Sequence, residues 1–188
     1  MKTNAGNLKK GEFINYQSEI WQIQKAEFYS PGKGSALMKT RIKNVINGKN
    51  VEYTFKSNEI VETLEVESIE MQYLYKDAEY AYFMNERTYN QYQLLLSVVG
   101  DMINFMKEGN KYFIFVHNDV PLSIRPSLSE RLKVVETEDA VKGDTVTGAK
   151  KLAKLETGAT VMVPLFVKLG ETIIVNPETK EYVGREST

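Results

Sequence analysis

The 188-residue sequence predicts an all-β protein built as three small β-barrels in tandem, and three observations carry that prediction. Short runs with period-two alternation recur along the chain, separated by turn residues about every 8 to 12 positions, the punctuation of small closed barrels. Charge is segregated: ten Lys and Arg stand against six Asp and Glu in residues 1–64, five against nine in 65–128, and nine against ten in 129–188. Turn signals fall near the same places, so 1–64, 65–128 and 129–188 are read as the three units. Cysteine is absent, which excludes disulfides, thiolate zinc sites and cysteine nucleophiles. Interfaces between such small units are commonly modest, so hinge freedom is expected between the first and second.

In the first unit, residues 20–28 and 36–45 both alternate like half-buried strands, and Pro31-Gly32-Lys33-Gly34 lies between them. Pro31 fixes its own φ, and the two glycines permit positive φ on either side of Lys33, so a sharp hairpin would hold the ammonium out with no bulky neighbour. Taken alone, these residues also describe an ordinary surface hairpin with a solvated lysine. They do not form a phosphate-binding loop, because Glu27 stands where that pattern needs glycine and Gly34 where it needs Ser or Thr. On the second strand Lys39, Arg41 and Lys43 share one face, and Met38, Thr40 and Ile42 share the other. That row of cations suits a phosphate backbone, or else a solvated sheet face. Asn47-Gly48, between 41–46 and 50–55, predicts a two-residue hairpin turn.

The second unit has strand patterns at 70–75, 80–84 and 88–92. A helix is predicted next, near 98–108, with Val98, Val99, Met102, Phe105 and Met106 as its core-facing stripe. Strands at 111–117 and 120–124 close the unit. His117, beside the turn Asn118-Asp119, is read as a strand-end residue because no Ser or Asp pattern accompanies it. The third unit reads as 132–136, a glycine-containing loop at 142–150, then 160–168, 172–175 and 181–183. No nucleophile, base and orienting group assemble anywhere, and no cofactor motif is present, so the protein is not read as an enzyme. No apolar run reaches the roughly 20 residues that span a bilayer, and the N-terminus lacks a signal-peptide apolar region, so it is expected to be cytoplasmic with no membrane partner.

Three stretches carry a family resemblance: Pro31-Gly32-Lys33-Gly34, Lys142-Gly143-Asp144-Thr145, and a C-terminal string. The string is Lys151-Leu152-Ala153, Glu156-Thr157-Gly158, Val163-Pro164-Leu165-Phe166-Val167, Gly170-Glu171 and Tyr182-Val183-Gly184-Arg185. With these residues the chain resembles bacterial translation elongation factor P over essentially its whole length. The string is the most specific part, since so many fixed residues at fixed spacing rarely arise by chance. The chain differs from common family residues at Ser30, Leu37, Glu130, Asp139-Ala140 and Leu152, none of which touches Lys33 or Gly143-Asp144-Thr145.

The resemblance implies an SH3-like domain followed by two oligonucleotide-binding folds, in an elongated tRNA-like shape. It also implies a monomer that binds the ribosome between the peptidyl-tRNA and exit sites and relieves stalling at consecutive prolines. Lys33, on the loop with Pro31, Gly32 and Gly34, would then face the peptidyl-tRNA, and Gly143, Asp144 and Thr145 the exit-site mRNA codon. Lys39, Arg41 and Lys43 would face RNA, while Tyr182 and Arg185 would support contacts with tRNA or the small subunit. Family members usually carry a chemical extension on the tip residue, such as β-lysine or aminopentanol on lysine or rhamnose on arginine. Lys33 rules out the arginine chemistry; the turn leaves open which lysine extension applies, or whether one is made, and a lysine-modifying enzyme is a partner only if it is. Asp144 is a lone carboxylate with too few oxygen partners to hold a metal, so no metal site is expected. The alternative function is a general RNA-binding transcription or ribosome-assembly factor with an SH3-like domain, in which Lys33 is one phosphate contact among several.

Overall fold

The structure is a computed structural model, described for residues 1–138 and 148–186. It is all-β, with three sheets. The chain forms two compact units, Met1–Gly100 with Phe113–Ile124, and Asp101–Tyr112 with Arg125–Thr188.

The first sheet is made by β1 (Lys2–Asn4), β2 (Phe13–Tyr16), β3 (Glu19–Tyr29), β4 (Leu37–Asn44), β5 (Asn50–Lys56) and β6 (Ile60–Leu64), in the order β1-β6-β2-β3-β4-β5. Alternation puts Ile14, Trp21, Ile23, Met38, Ile42, Phe55 and Val61 into one core. The predicted Asn47-Gly48 two-residue turn is not what forms. Instead β4 ends at Asn44, whose N–H donates to the Lys49 carbonyl at 2.9 Å and whose carbonyl accepts from the Gly48 N–H at 3.0 Å. The buried Asn44 side chain accepts from the Ile46 and Asn47 N–H groups and donates to Glu19, so an Asx-type turn outcompetes the shorter hairpin.

The second sheet is β7 (Glu67–Lys76), β8 (Tyr80–Met84), β9 (Gln91–Leu95), β10 (Lys111–His117) and β11 (Val120–Ile124), ordered β11-β10-β7-β8-β9. β9 starts later than the alternation at 88–92 predicts, because Asn85 caps a turn through Arg87 and Tyr89 takes positive φ. The predicted long helix is also broken. A single turn α1 (Leu96–Val99) ends at Gly100, at φ 71° and ψ −156°, and a 3-10 turn follows at Gly100–Asn104. The stripe is buried as predicted, but Phe105 belongs to the core of the second compact unit while Val98 and Val99 belong to the first unit.

Within the first unit, the two sheets share buried apolar groups. Phe13, Val45 and Leu122 form one cluster with Ile20, Leu64, Val66 and Phe115 against it, and the Phe13 and Phe115 rings meet edge-on at 5.4 Å. Ser123 donates to the buried Gln22 at 3.0 Å. Opening this junction would expose apolar area and orphan a buried hydrogen bond, which corrects the expected hinge freedom. His117 closes the same region. Its Nδ1 lies 2.6 Å from the Glu65 carbonyl, which can only accept, so Nδ1 carries the proton and Nε2 accepts from Asn118.

The second unit holds the third sheet: β12 (Glu130–Thr137), β13 (Lys150–Leu155), β14 (Thr160–Pro164), β15 (Thr172–Asn176) and β16 (Glu181–Arg185), ordered β14-β13-β12-β15-β16. Leu132, Val134, Ala153, Leu155, Val161, Val163, Ile173 and Val175 alternate into its core, with Phe105 among them. Glu130 is the exception on β12, a buried carboxylate that accepts from Tyr112 at 3.2 Å. Burial pushes its carboxyl above the ordinary value, and the phenol of Tyr112 is raised as well, chiefly by burial.

Candidate functional site

β3 and β4 pair from Trp21 opposite Asn44 to Tyr29 opposite Leu37, and residues 30–36 form the tip beyond that ladder. Lys33 is exposed there, and no hydrogen bond or ion pair engages its ammonium among the described residues. Gly34 takes φ +106°, whereas Gly32 does not use positive φ, so only one of the two glycines spends its conformational freedom. The tip is also uncrowded: a Cβ on Gly32 would meet nothing within 4 Å, and one on Gly34 only the Pro31 ring at 4.0 Å. At the base of the tip, the Lys39 ammonium lies 4.8 Å from the Tyr29 ring centroid, a cation–π contact.

The predicted basic row is only partly assembled. Lys39 and Arg41 are exposed on one face of β4, while Lys43 is half-buried and donates to the Val98 carbonyl in α1. Lys25 joins the exposed pair instead, opposite Arg41. Sequence alternation missed it, because Lys25 lies two residues after the core residue Ile23 and should face inward. A bulge between Ile23 and Lys25 inserts Gln24 and turns Lys25 outward. Carboxylates are interleaved with these cations, Glu27 at 2.7 Å from Lys25 and Glu52 at 3.8 Å from Arg41, around a shallow hollow of about 270 Å³. The Lys25 ammonium holds the Glu27 carboxyl below its usual value. Exposed ion pairs of this kind are screened by water and hold weakly, so a polyanion can displace the carboxylates at little cost.

Gly143, Asp144 and Thr145 lie outside the described residues. On β16 a bulge puts Tyr182, opposite Val175, and Arg185, opposite Ile173, on the same face. Tyr182 packs against the barrel core, whereas the Arg185 guanidinium lies 4.2 Å from the Phe166 ring centroid with Nε 3.8 Å from Glu171. Among the described residues no group of three or more His, Asp or Glu side chains could hold a metal ion, and no helix is long and apolar enough to cross a membrane.

Three family profiles match successive stretches: "Elongation factor P (EF-P) KOW-like domain" over 4–61, "Elongation factor P (EF-P) OB domain" over 66–124, and "Elongation factor P, C-terminal" over 131–185. A curated relative named Elongation factor P from Caldicellulosiruptor bescii is 41% identical over 181 residues, covering 96% of this chain and 98% of that protein. Another from Saccharopolyspora erythraea is 38% identical over 185 residues, covering 98% of each. Among solved structures, "Eukaryotic translation initiation factor 5A from Methanococcus jannaschii" has a TM-score of 0.50 at 18% identity, covering 66% of this chain and 92% of that one, a likeness of fold alone.

Proposed function

The chain belongs to the elongation factor P family, and from that premise we propose that it is a translation elongation factor that relieves ribosomes stalled at consecutive prolines. In this reading it is a cytoplasmic monomer with domains at 1–64, 65–128 and 129–188, bound between the peptidyl-tRNA and exit sites. The observation that carries the reading is the free Lys33 ammonium, held beyond an extended two-stranded ladder whose far end is locked in the unit's core.

Proline is conformationally locked and a poor partner in peptide-bond formation, so its runs leave peptidyl-tRNA in unproductive geometries. A projection that fixes the reactive end of that tRNA lowers the entropy cost of reaching a near-attack arrangement, and the ribosome performs the chemistry. Lys25, Lys39 and Arg41 supply phosphate contacts beside the tip. Lys43 serves the scaffold by holding α1, and Gly143, Asp144 and Thr145 read the exit-site codon. Tyr182 supports the barrel that carries Arg185, whose guanidinium edge meets tRNA or the small subunit.

The experiment is single-turnover peptide-bond formation on ribosomes paused before a second proline, with a proline-free message as control. Acceleration confined to the proline message is expected. Equal effects on both messages, or none, would refute the assignment. Intact mass of protein purified from its own source shows whether Lys33 carries an extension and which one.

A further inference from the structure

Three tyrosines stand together on the outward face of the second sheet, on different strands from the two that carry the Lys33 tip. Tyr75 on β7 pairs with Tyr82 on β8, their rings stacked at 4.6 Å and 23°, and Tyr80 lies 6.5 Å from Tyr82. Tyr75 is 48% exposed. Like Lys25, it owes its direction to a bulge. Tyr73 faces the core opposite Phe83, and the extra residue Leu74 turns Tyr75 to the outside.

The edge of this patch is acidic and preorganised. Asp77 accepts from the Glu79 and Tyr80 N–H groups through one oxygen, at 2.8 and 2.7 Å, and from the Tyr82 hydroxyl through the other, at 2.7 Å. These bonds keep the Asp77 carboxyl below its usual value, and the same contact pushes the Tyr82 phenol up to about 12. Both groups therefore hold their charge states across the neutral range. Glu79 is exposed, with no partner for its carboxylate among the described residues. No cation pairs across the strands with Tyr82: it is flanked by Tyr75 and the uncharged Gln93, and Lys76 pairs with core-facing Ala81 and so leaves from the other face.

We propose that this tyrosine face, edged by Asp77 and Glu79, is a docking site for an arginine-bearing basic segment of a protein partner. A guanidinium is planar and weakly hydrated, so it stacks on a tyrosine ring while its N–H groups reach a neighbouring carboxylate. Stacked aromatics also suit nucleobases, but a single strand brings phosphates that need cations beside the stacking platform. Here the neighbours are acids, in a stretch 65–128 that carries nine Asp and Glu against five Lys and Arg. Charge complementarity selects the basic protein segment.

The test uses the full-length protein and NMR of its tyrosine rings. The probes are a short peptide of alternating Arg and Gly, the same peptide with Lys or Asp in place of Arg, and an oligouridylate of similar length. The Arg peptide is expected to shift the Tyr75 and Tyr82 rings, the Lys peptide to bind more weakly, and the Asp peptide and oligouridylate to leave the rings unmoved. Tyr75→Ala and Glu79→Gln, both at exposed positions, should each weaken the Arg peptide about threefold to fivefold, while Lys33→Ala changes nothing. Oligouridylate shifting these rings more than the Arg peptide would make the patch an RNA surface and overturn the proposal. Arg-peptide binding that survives both Tyr75→Ala and Glu79→Gln unchanged would overturn it too.

Discussion

The two ends of β4 carry glycine-containing turns of opposite character. At the Lys33 end a Cβ on Gly34 would touch only the Pro31 ring, at 4.0 Å. At the other end Gly48, with φ +73°, lies so close to α1 that a Cβ would fall 2.7 Å from the Ser97 carbonyl carbon and nearer still to its oxygen. One turn is built to project and the other to dock. Lys43, on the same strand, fastens the docked end by donating to the Val98 carbonyl. Under the proposed function a projecting ammonium is useful only if its base does not swing, so there the crowded glycine matters as much as the open one.

The largest stability effect should therefore come from Gly48→Ala. It combines left-handed strain with a backbone clash, and about 3 kcal/mol or more should be lost in chemical denaturation. Gly34→Ala carries the strain without the clash, so about 1–2 kcal/mol is expected from the same measurement. Equal losses at the two glycines would break the contrast between the turns. Lys43→Met keeps the apolar stem but leaves the Val98 carbonyl without its charged donor, and should cost about 1–2 kcal/mol. If Lys43→Met lowers ribosome affinity at unchanged stability, Lys43 belongs with the RNA-facing cations and not with the anchor.

A smaller effect, remote from both ends, is expected at Glu130. Its folded carboxyl titrates above the ordinary value of 4.5, so the folded state holds more protons than the unfolded one between the two values. Stability contributed by this group is therefore greatest at low pH and declines as pH rises through that window. Glu130→Gln should flatten that decline in a thermal-unfolding pH series and leave the Lys33 hairpin unaffected. A steeper decline would reverse the assigned sign.

Much of this architecture was legible in sequence where a local rule decides. β8, β10 and β11 fall on the alternating patterns of 80–84, 111–117 and 120–124, and the Pro-Gly-Lys-Gly turn does sit between two strands. What escaped depends on neighbours distant in sequence. Register sets the bulges at Gln24 and Leu74, and each slip of one residue moves a side chain to the other face, so Lys25 and Tyr75 were unreadable from alternation. Asn47-Gly48 yields to the Asn44 side chain and the close approach of Ser97. Lys43 follows the face pattern of Lys39 and Arg41, and only the position of α1 shows that its ammonium is already engaged.

The central claim is that Lys33 works as a projected tip while the rest of the protein supplies placement. The most direct measurement is a reconstituted translation assay of a polyproline reporter against a proline-free one. It compares wild type, Lys33→Ala and Lys33→Arg, with the Lys33 modification of each preparation checked by mass spectrometry. Lys33→Ala should change folding stability by no more than about 0.5 kcal/mol and still bind ribosomes, yet lose the acceleration on the polyproline reporter. Lys33→Arg should fail as well, because a planar guanidinium presents a different shape to the tRNA end and cannot accept a lysine extension. Equal rescue by all three proteins would contradict the account.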